Sequence, residues 1–181
     1  MDKNMKQKFC GGGGDLCYYP LLHKALESTD GGVLELGMGH GSTPLLNEYC
    51  KKNRRMLASF DFNEEWRVKF NNILHKLHTS ELVLDWEKVY INYPDASVIF
   101  IDQSPGEERK VTIERYKDTT GILVIHDTEP TGAGDYRVRP LFPLFKYKAE
   151  VETAGAWATA LSNEIDITKW KGEKYGDYII T

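Results

Sequence analysis

The chain has 181 residues, 41% apolar and 28% charged, the balance of a globular protein with enough chain for one substantial core. A net charge of −4 argues against a broad nucleic-acid surface, which needs clustered Lys and Arg, and no apolar run is long enough for a membrane span. Cys10, Cys17 and Cys50 form an odd set without CxxC spacing, and Met1-Asp2-Lys3-Asn4 leads into no secretory apolar stretch, so free thiols in a cytosolic protein are expected.

In chain order, residues 1–8 are polar and read as frayed. The glycine run at 11–14 reads as a flexible joint, since no strand precedes it and no Lys-Ser/Thr pair follows. Residues 1–14 are thus a flexible segment, and 15–181 read as one domain without repeat or linker. From 15 to 28, Leu16, Tyr19, Leu22 and Leu26 recur at steps of three and four, the spacing of a helix. The next stretch, Gly32-Val33-Leu34-Glu35-Leu36-Gly37-Met38-Gly39-His40-Gly41-Ser42-Thr43, organises the rest. Its apolar run predicts a buried strand, and its three alternate glycines predict a sharp turn where no Cβ obstructs a ligand. Ser42 or Thr43 is placed to cap a helix over 44–52, and Pro44 is tolerated in its first turn. Strand, glycine turn and helix make the first half of a nucleotide-binding βαβ unit.

Residues 55–60 predict a second strand ending at Asp61. Residues 64–77 place Trp66, Phe70, Ile73, Leu74 and Leu77 on one helical face, with His75 and His78 as solvated side chains. Strands are expected over 81–84 before Asp85-Trp86, over 97–101 before Asp102, and over 121–125 before His126-Asp127. Residues 103–106 read as loop, 107–116 as a charged helix, 128–134 as a Gly/Pro-rich loop and 139–145 as a short helix. Residues 147–153 and 159–167 read as a closing pair of strands. The alternation predicts an α/β fold: a Rossmann-like, mainly parallel sheet of about seven strands, helices on both faces, and an antiparallel C-terminal hairpin. Five successive strand ends then carry Glu35, Asp61, Asp85, Asp102 and His126-Asp127, at the edge where open α/β sheets bind ligands. Helix capping is the competing role for Asp61 and Asp85.

A rim of carboxylates repels a pyrophosphate cofactor but suits a cationic one that has a ribose diol and an adenine. S-adenosylmethionine carries a sulfonium and an ammonium and has no phosphate. On ELGMGHGS (Glu35 to Ser42), the acid of SFDFN, and the strand ends IFIDQSPGEER and ILVIHDTE, the chain resembles the class I S-adenosylmethionine-dependent methyltransferases from about Leu16 to its end. The resemblance implies that Glu35, Gly37, Gly39, Gly41 and Ser42 cradle the methionine part and that Asp61 takes both ribose hydroxyls. It places Asp85 near the adenine amino group, with Trp86 beside the ring. Each role suits a carboxylate, which accepts but does not donate.

The last two strand ends are similar to those of the metal-dependent small-molecule O-methyltransferases and the related sugar-methylating group. That likeness implies Asp102 and Asp127 as ligands of Mg²⁺ or Mn²⁺, with His126 a third ligand or the general base. The chain departs from the catechol-type enzymes in having Pro105 where they have Lys, and His126-Asp127 where they have Asp-Asn. A metal-free His126 base is the alternative. Asp102, His126 and Asp127 are therefore the expected catalytic residues, acting on a small-molecule acceptor, at oxygen. Glu107-Glu108-Arg109-Lys110 reads as a solvated helix start, with Arg109, Arg137 and Arg139 available to an acidic substrate group and the 132–134 loop in the position of a lid. The pocket is either open or completed by a second subunit. A nicotinamide-dependent oxidoreductase shares the glycine turn and Asp61 but explains neither Asp85 nor the Asp102 and His126-Asp127 pair. A module that binds the cofactor without transferring a methyl group is the other rival.

Overall fold

The computed structural model describes residues 16–131 and 136–181, so the expectations for the glycine run at 11–14, Cys10 and the 132–134 loop lie outside the described residues. Five strands run parallel: β1 (Val33–Leu36), β2 (Leu57–Asp61), β3 (His78–Leu82), β4 (Val98–Ile101) and β5 (Ile122–His126). A hairpin of β6 (Tyr147–Glu152) and β7 (Trp157–Ser162) completes the sheet in the order β3-β2-β1-β4-β5-β7-β6. β7 lies antiparallel to β5, with Leu123 opposite Leu161. The chain order reverses direction between β1 and β4, which opens a crevice at the carboxyl ends of these strands.

β1 and β4 are apolar along their length apart from Glu35, because both faces of the sheet are covered. Val98 and Phe100 join one core with Leu21, Leu22, Leu26, Leu46 and Cys50, from α1 (Tyr19–Glu27) and α2 (Ser42–Asn53). Ile99 and Ile101 join the other, with Ile113 of α5 (Arg109–Arg115) and Val89 of α4 (Trp86–Asn92). Beyond residue 167, where no element is expected, Trp170 and Ile180 are buried in the first core, and β8 (Lys174–Tyr175) pairs with β9 (Tyr178–Ile179). Among the described residues no helix is long and apolar enough to cross a membrane.

Several boundaries differ from the sequence reading, among them that of β7, which ends at Ser162 and not at residue 167. The helix expected over 64–77 is a single turn, α3 (Glu64–Arg67), followed by a 3₁₀ turn over Val68–Phe70. The chain beyond it is held by Asn47 of α2, whose amide donates to Ile73 O (2.8 Å) and whose carbonyl accepts from His75 N (3.1 Å). β3 starts at His78, not at residue 81; as the edge strand it tolerates the polar run HTSEL, which shows no clean alternation. α4 was not expected, and α1 begins only at Tyr19.

Candidate active site

The glycine turn divides its labour. Gly37 has φ +92°, and a Cβ there would run into the backbone of Asp102 and Gln103, so this glycine lets the turn lie against the end of β4. A Cβ on Gly41 would meet the Tyr18 hydroxyl and Leu16, which pack behind the turn. Gly39 is different: a Cβ there would touch only Ser42 Oγ, at 3.2 Å, and would otherwise project into open space.

Glu35 does not reach the surface. It is 0% exposed; its carboxyl accepts from Ser42 Oγ (2.7 Å) and Thr43 Oγ1 (2.9 Å) and lies 2.5 Å from Ser59 Oγ. The α2 N-cap is Gly41, with no side-chain cap, because the two hydroxyls expected to cap the helix turn inward to Glu35. Thr43 Oγ1 also accepts from Gly39 N at 2.9 Å, so Glu35 braces the turn from beneath. Burial pushes its carboxyl up to about 7 against the pull of the three hydroxyls.

A cleft of about 430 Å³ opens above the turn, with Asp61, Trp66, Asp102, Arg109, Asp127 and Tyr136 in its wall, a size suited to a small ligand. Asp61 accepts from Met38 N through Oδ2 (3.0 Å) and from Asn63 N through Oδ1 (2.8 Å). Burial raises its carboxyl above the usual range, and these backbone bonds oppose the rise. Trp66, expected in a helical core, instead donates from Nε1 to Met38 O (2.6 Å), sets its ring edge against His40 and lines the cleft. Asp85 takes the competing role: it is exposed and caps α4 by accepting from Glu87 N at 3.0 Å. Trp86 packs against the second core, and neither residue lines the cleft.

Asp102, His126 and Asp127 do come together, with donor atoms within 4.8 Å of one another. His126 Nδ1 lies 3.3 Å from Asp102 Oδ1 and 3.4 Å from Asp127 Oδ1. Asp127 holds a left-handed φ of 52°, a conformation Asp tolerates, and this turns its carboxylate back onto the site. Burial alone lowers the His126 pKa, but the Asp102 hydrogen bond and the two carboxylates outweigh it and hold the imidazole above its ordinary value. Its Nε2 is buried without a hydrogen-bond partner among the described residues, and the Tyr18 ring stands edge-on at 5.0 Å.

The residue that sequence reasoning misplaced is Arg109. It is not a solvated helix start but 3% exposed, inserted between the two carboxylates. Its Nη2 donates to Asp102 Oδ1 (2.9 Å), its Nη1 to Asp127 Oδ2 (3.1 Å) and His126 O (2.8 Å), and its Nε to Gln103 O (3.0 Å). The Tyr136 ring covers the guanidinium at 4.5 Å. The signal was present: Arg109, Thr112, Ile113 and Tyr116 are all buried, at the i, i+3, i+4, i+7 spacing of one helical face. Arg139 is likewise engaged internally, with Glu150 Oε1 (2.9 Å) and Thr128 O (3.0 Å). His78 is not solvated either; it is buried between Ser59 and Asn47, and burial lowers its pKa to about 4.

No protein-family model matches the sequence, and no curated protein matches it. Solved structures do share the fold. An O-methyltransferase from Bacillus cereus in complex with S-adenosylhomocysteine superposes with TM-score 0.60 at 14% identity, over 88% of this chain and 86% of that one. A spermidine synthase from Thermotoga maritima gives 0.60 at 16% identity, over 84% and 61%. An rRNA methylase from Streptococcus thermophilus gives 0.55 at 17% identity, over 79% and 94%. The fold is that of the class I S-adenosylmethionine-dependent methyltransferases.

Proposed function

We propose that the protein transfers the methyl group of S-adenosylmethionine to a small-molecule acceptor, at oxygen. The observation that carries this reading is the acidic cleft beside Gly39. Asp61, Asp102 and Asp127 line it, a wall that favours a sulfonium and a ribose diol over a pyrophosphate. Gly39 leaves room for the methionine part, and the remaining lone pairs of Asp61 face a diol. Phe62, 47% exposed at the same cleft, offers an apolar surface to a ring. The antiparallel β7 also departs from the all-parallel order of nicotinamide-binding sheets, which weighs against the oxidoreductase reading. Asp85 and Trp86 lie outside the cleft lining.

A divalent ion is implied by the likeness to the metal-dependent O-methyltransferases, and the donor atoms of Asp102, His126 and Asp127 gather as such an ion needs. The residues around them do not fit one. The two carboxylates already share a permanent cation, the Arg109 guanidinium, which takes one oxygen of each. His126 Nδ1 faces those same carboxylates as a donor would. With Nδ1–H directed at Asp102 and Asp127, the lone pair of His126 lies on Nε2, an atom that is buried and outside the cleft lining, so its role as general base for the acceptor hydroxyl requires the bound acceptor to expose it. Arg109 fixes both carboxylates, which fix the imidazole. The net charge of −4 and the small cleft favour a small acceptor over RNA.

The test is calorimetry with S-adenosylhomocysteine and with NADH, followed by a search for S-adenosylhomocysteine release with small hydroxylated acceptors. Binding of the first ligand only, with release dependent on acceptor, is expected. Binding of NADH only, or of neither, refutes the reading.

A further inference from the structure

The buried acid beneath the glycine turn belongs to a chain of side chains whose protons can be counted. Asn47 is fixed in orientation, because its amide nitrogen donates to Ile73 O and its carbonyl accepts from His75 N. Its Oδ1 therefore also faces His78 Nδ1, 2.9 Å away, as an acceptor, and Nδ1 must carry a hydrogen. The other ring nitrogen, Nε2, is 2.8 Å from Ser59 Oγ, and Ser59 Oγ is 2.5 Å from Glu35 Oε2. Ser59 has one hydroxyl hydrogen for these two links. If it donates to His78, Glu35 must supply the hydrogen of the other link. If it donates to Glu35, His78 must be doubly protonated. Either way the chain holds one proton more than a carboxylate and a neutral imidazole.

Geometry and burial choose between the two. Glu35 Oε1 accepts from both Ser42 and Thr43, as the carbonyl oxygen of an acid does, while Oε2 has Ser59 alone. Placing the proton on His78 would create an ion pair inside the sheet, where desolvation of both charges is costly. We propose that Glu35 is a neutral carboxylic acid that donates to Ser59 through Oε2 while its Oε1 positions the glycine turn through Thr43 and Gly39. The charged and titratable groups around it point the same way. Asp102, just after β4, disfavours a second negative charge, burial keeps His78 on β3 neutral, and the Tyr18 and Cys50 groups that sense Glu35 are themselves held protonated by burial. Glu35 is thus a positioning residue. Because its folded pKa lies above the ordinary glutamate value, its stabilising effect is full below that value and is lost as pH rises through about 7.

The positioning role rests on the cofactor reading above; the proton does not. Infrared difference spectra of the wild type against Glu35→Gln at pH 6 should show the carbonyl band of a protonated acid, which exposed carboxylates do not give at that pH. Glutamine mimics the acid, with Nε2 as donor to Ser59 and Oε1 as acceptor. Glu35→Gln should therefore bind S-adenosylhomocysteine like the wild type but without its weakening above pH 7. Glu35→Ala should bind about tenfold more weakly, as for the loss of one hydrogen bond in the brace. Absence of the acid band overturns the proton. Equal loss of binding in the Gln and Ala variants overturns the positioning role. An acid band in a wild type that binds no S-adenosylhomocysteine upholds the proton and removes the cofactor reading instead.

Discussion

Replacing Arg109 by methionine removes the guanidinium that bridges Asp102 and Asp127 while keeping a straight apolar stem. Four hydrogen bonds are lost, two of them to carboxylates at 2.9 and 3.1 Å. Removing one partner of a buried ion pair costs about 3–5 kcal/mol. Here the Asp102 and Asp127 side chains keep 27% and 24% exposure, so water relieves part of the uncovered charge and the lower end, about 3 kcal/mol, is expected. In urea unfolding with a slope of about 2 kcal/mol per molar, the midpoint falls by about 1.5 M with the slope unchanged. The variant should also gain a property. Its three donor groups lose their built-in cation, so Mn²⁺ should bind them, and at about one hundred times its Kd should restore about 2.7 kcal/mol. The wild type should show neither Mn²⁺ binding by paramagnetic resonance nor a stability shift. Stoichiometric Mn²⁺ binding by the wild type, abolished in Asp102→Asn, would show that the guanidinium gives way to a metal and that Arg109 does not replace one.

Gly39→Val should fold normally by circular dichroism yet lose S-adenosylhomocysteine binding, since its side chain enters open space next to Met38, which lines the cleft. Gly37→Ala should instead lower the melting temperature, because its Cβ overlaps the Asp102 backbone and its φ is positive; the reverse pattern would mean that the roles of the two glycines are misassigned. Asp85→Ala should cost about 1 kcal/mol of stability, as for a lost N-cap, with cofactor affinity unchanged; weakened affinity would restore Asp85 to the adenine site. His126 carries a raised pKa, so the stability it adds is complete below about 6.5, the ordinary histidine value, and fades as pH rises through the folded one. As a base it works only once deprotonated, so turnover should rise with pH over the range where that stability fades. A rising limb unchanged in His126→Gln would exclude it as the base.

The strands were legible where the local sequence is enough. VIFI, and VLEL apart from Glu35, are apolar on both faces because helices cover both sides of a parallel sheet, and a run of that kind has few other places to go. Asp61 at the end of β2, Asp102 just after β4, and the His126-Asp127 pair at the end of β5 were located for the same reason: a residue at or next to the end of a strand stays there whatever the rest of the chain does. Which partner each acid takes was not legible, since partners come from elements far apart in sequence. Arg109 sits in a run of charges that reads as solvated, and only the seating of α5 against β4 and β5 turns it onto Asp102 and Asp127. Asn47 ends the expected long helix by bonding to backbone 26 and 28 residues away. Glu35 stands beside glycines, as a cofactor ligand would, yet hydroxyls from α2 and β2 enclose it and burial pushes its carboxyl up to about 7. Periodicity records which face of an element is apolar. The charge state of a buried group depends on the donors and acceptors that packing brings within 3 Å of it, and those belong to the tertiary structure alone.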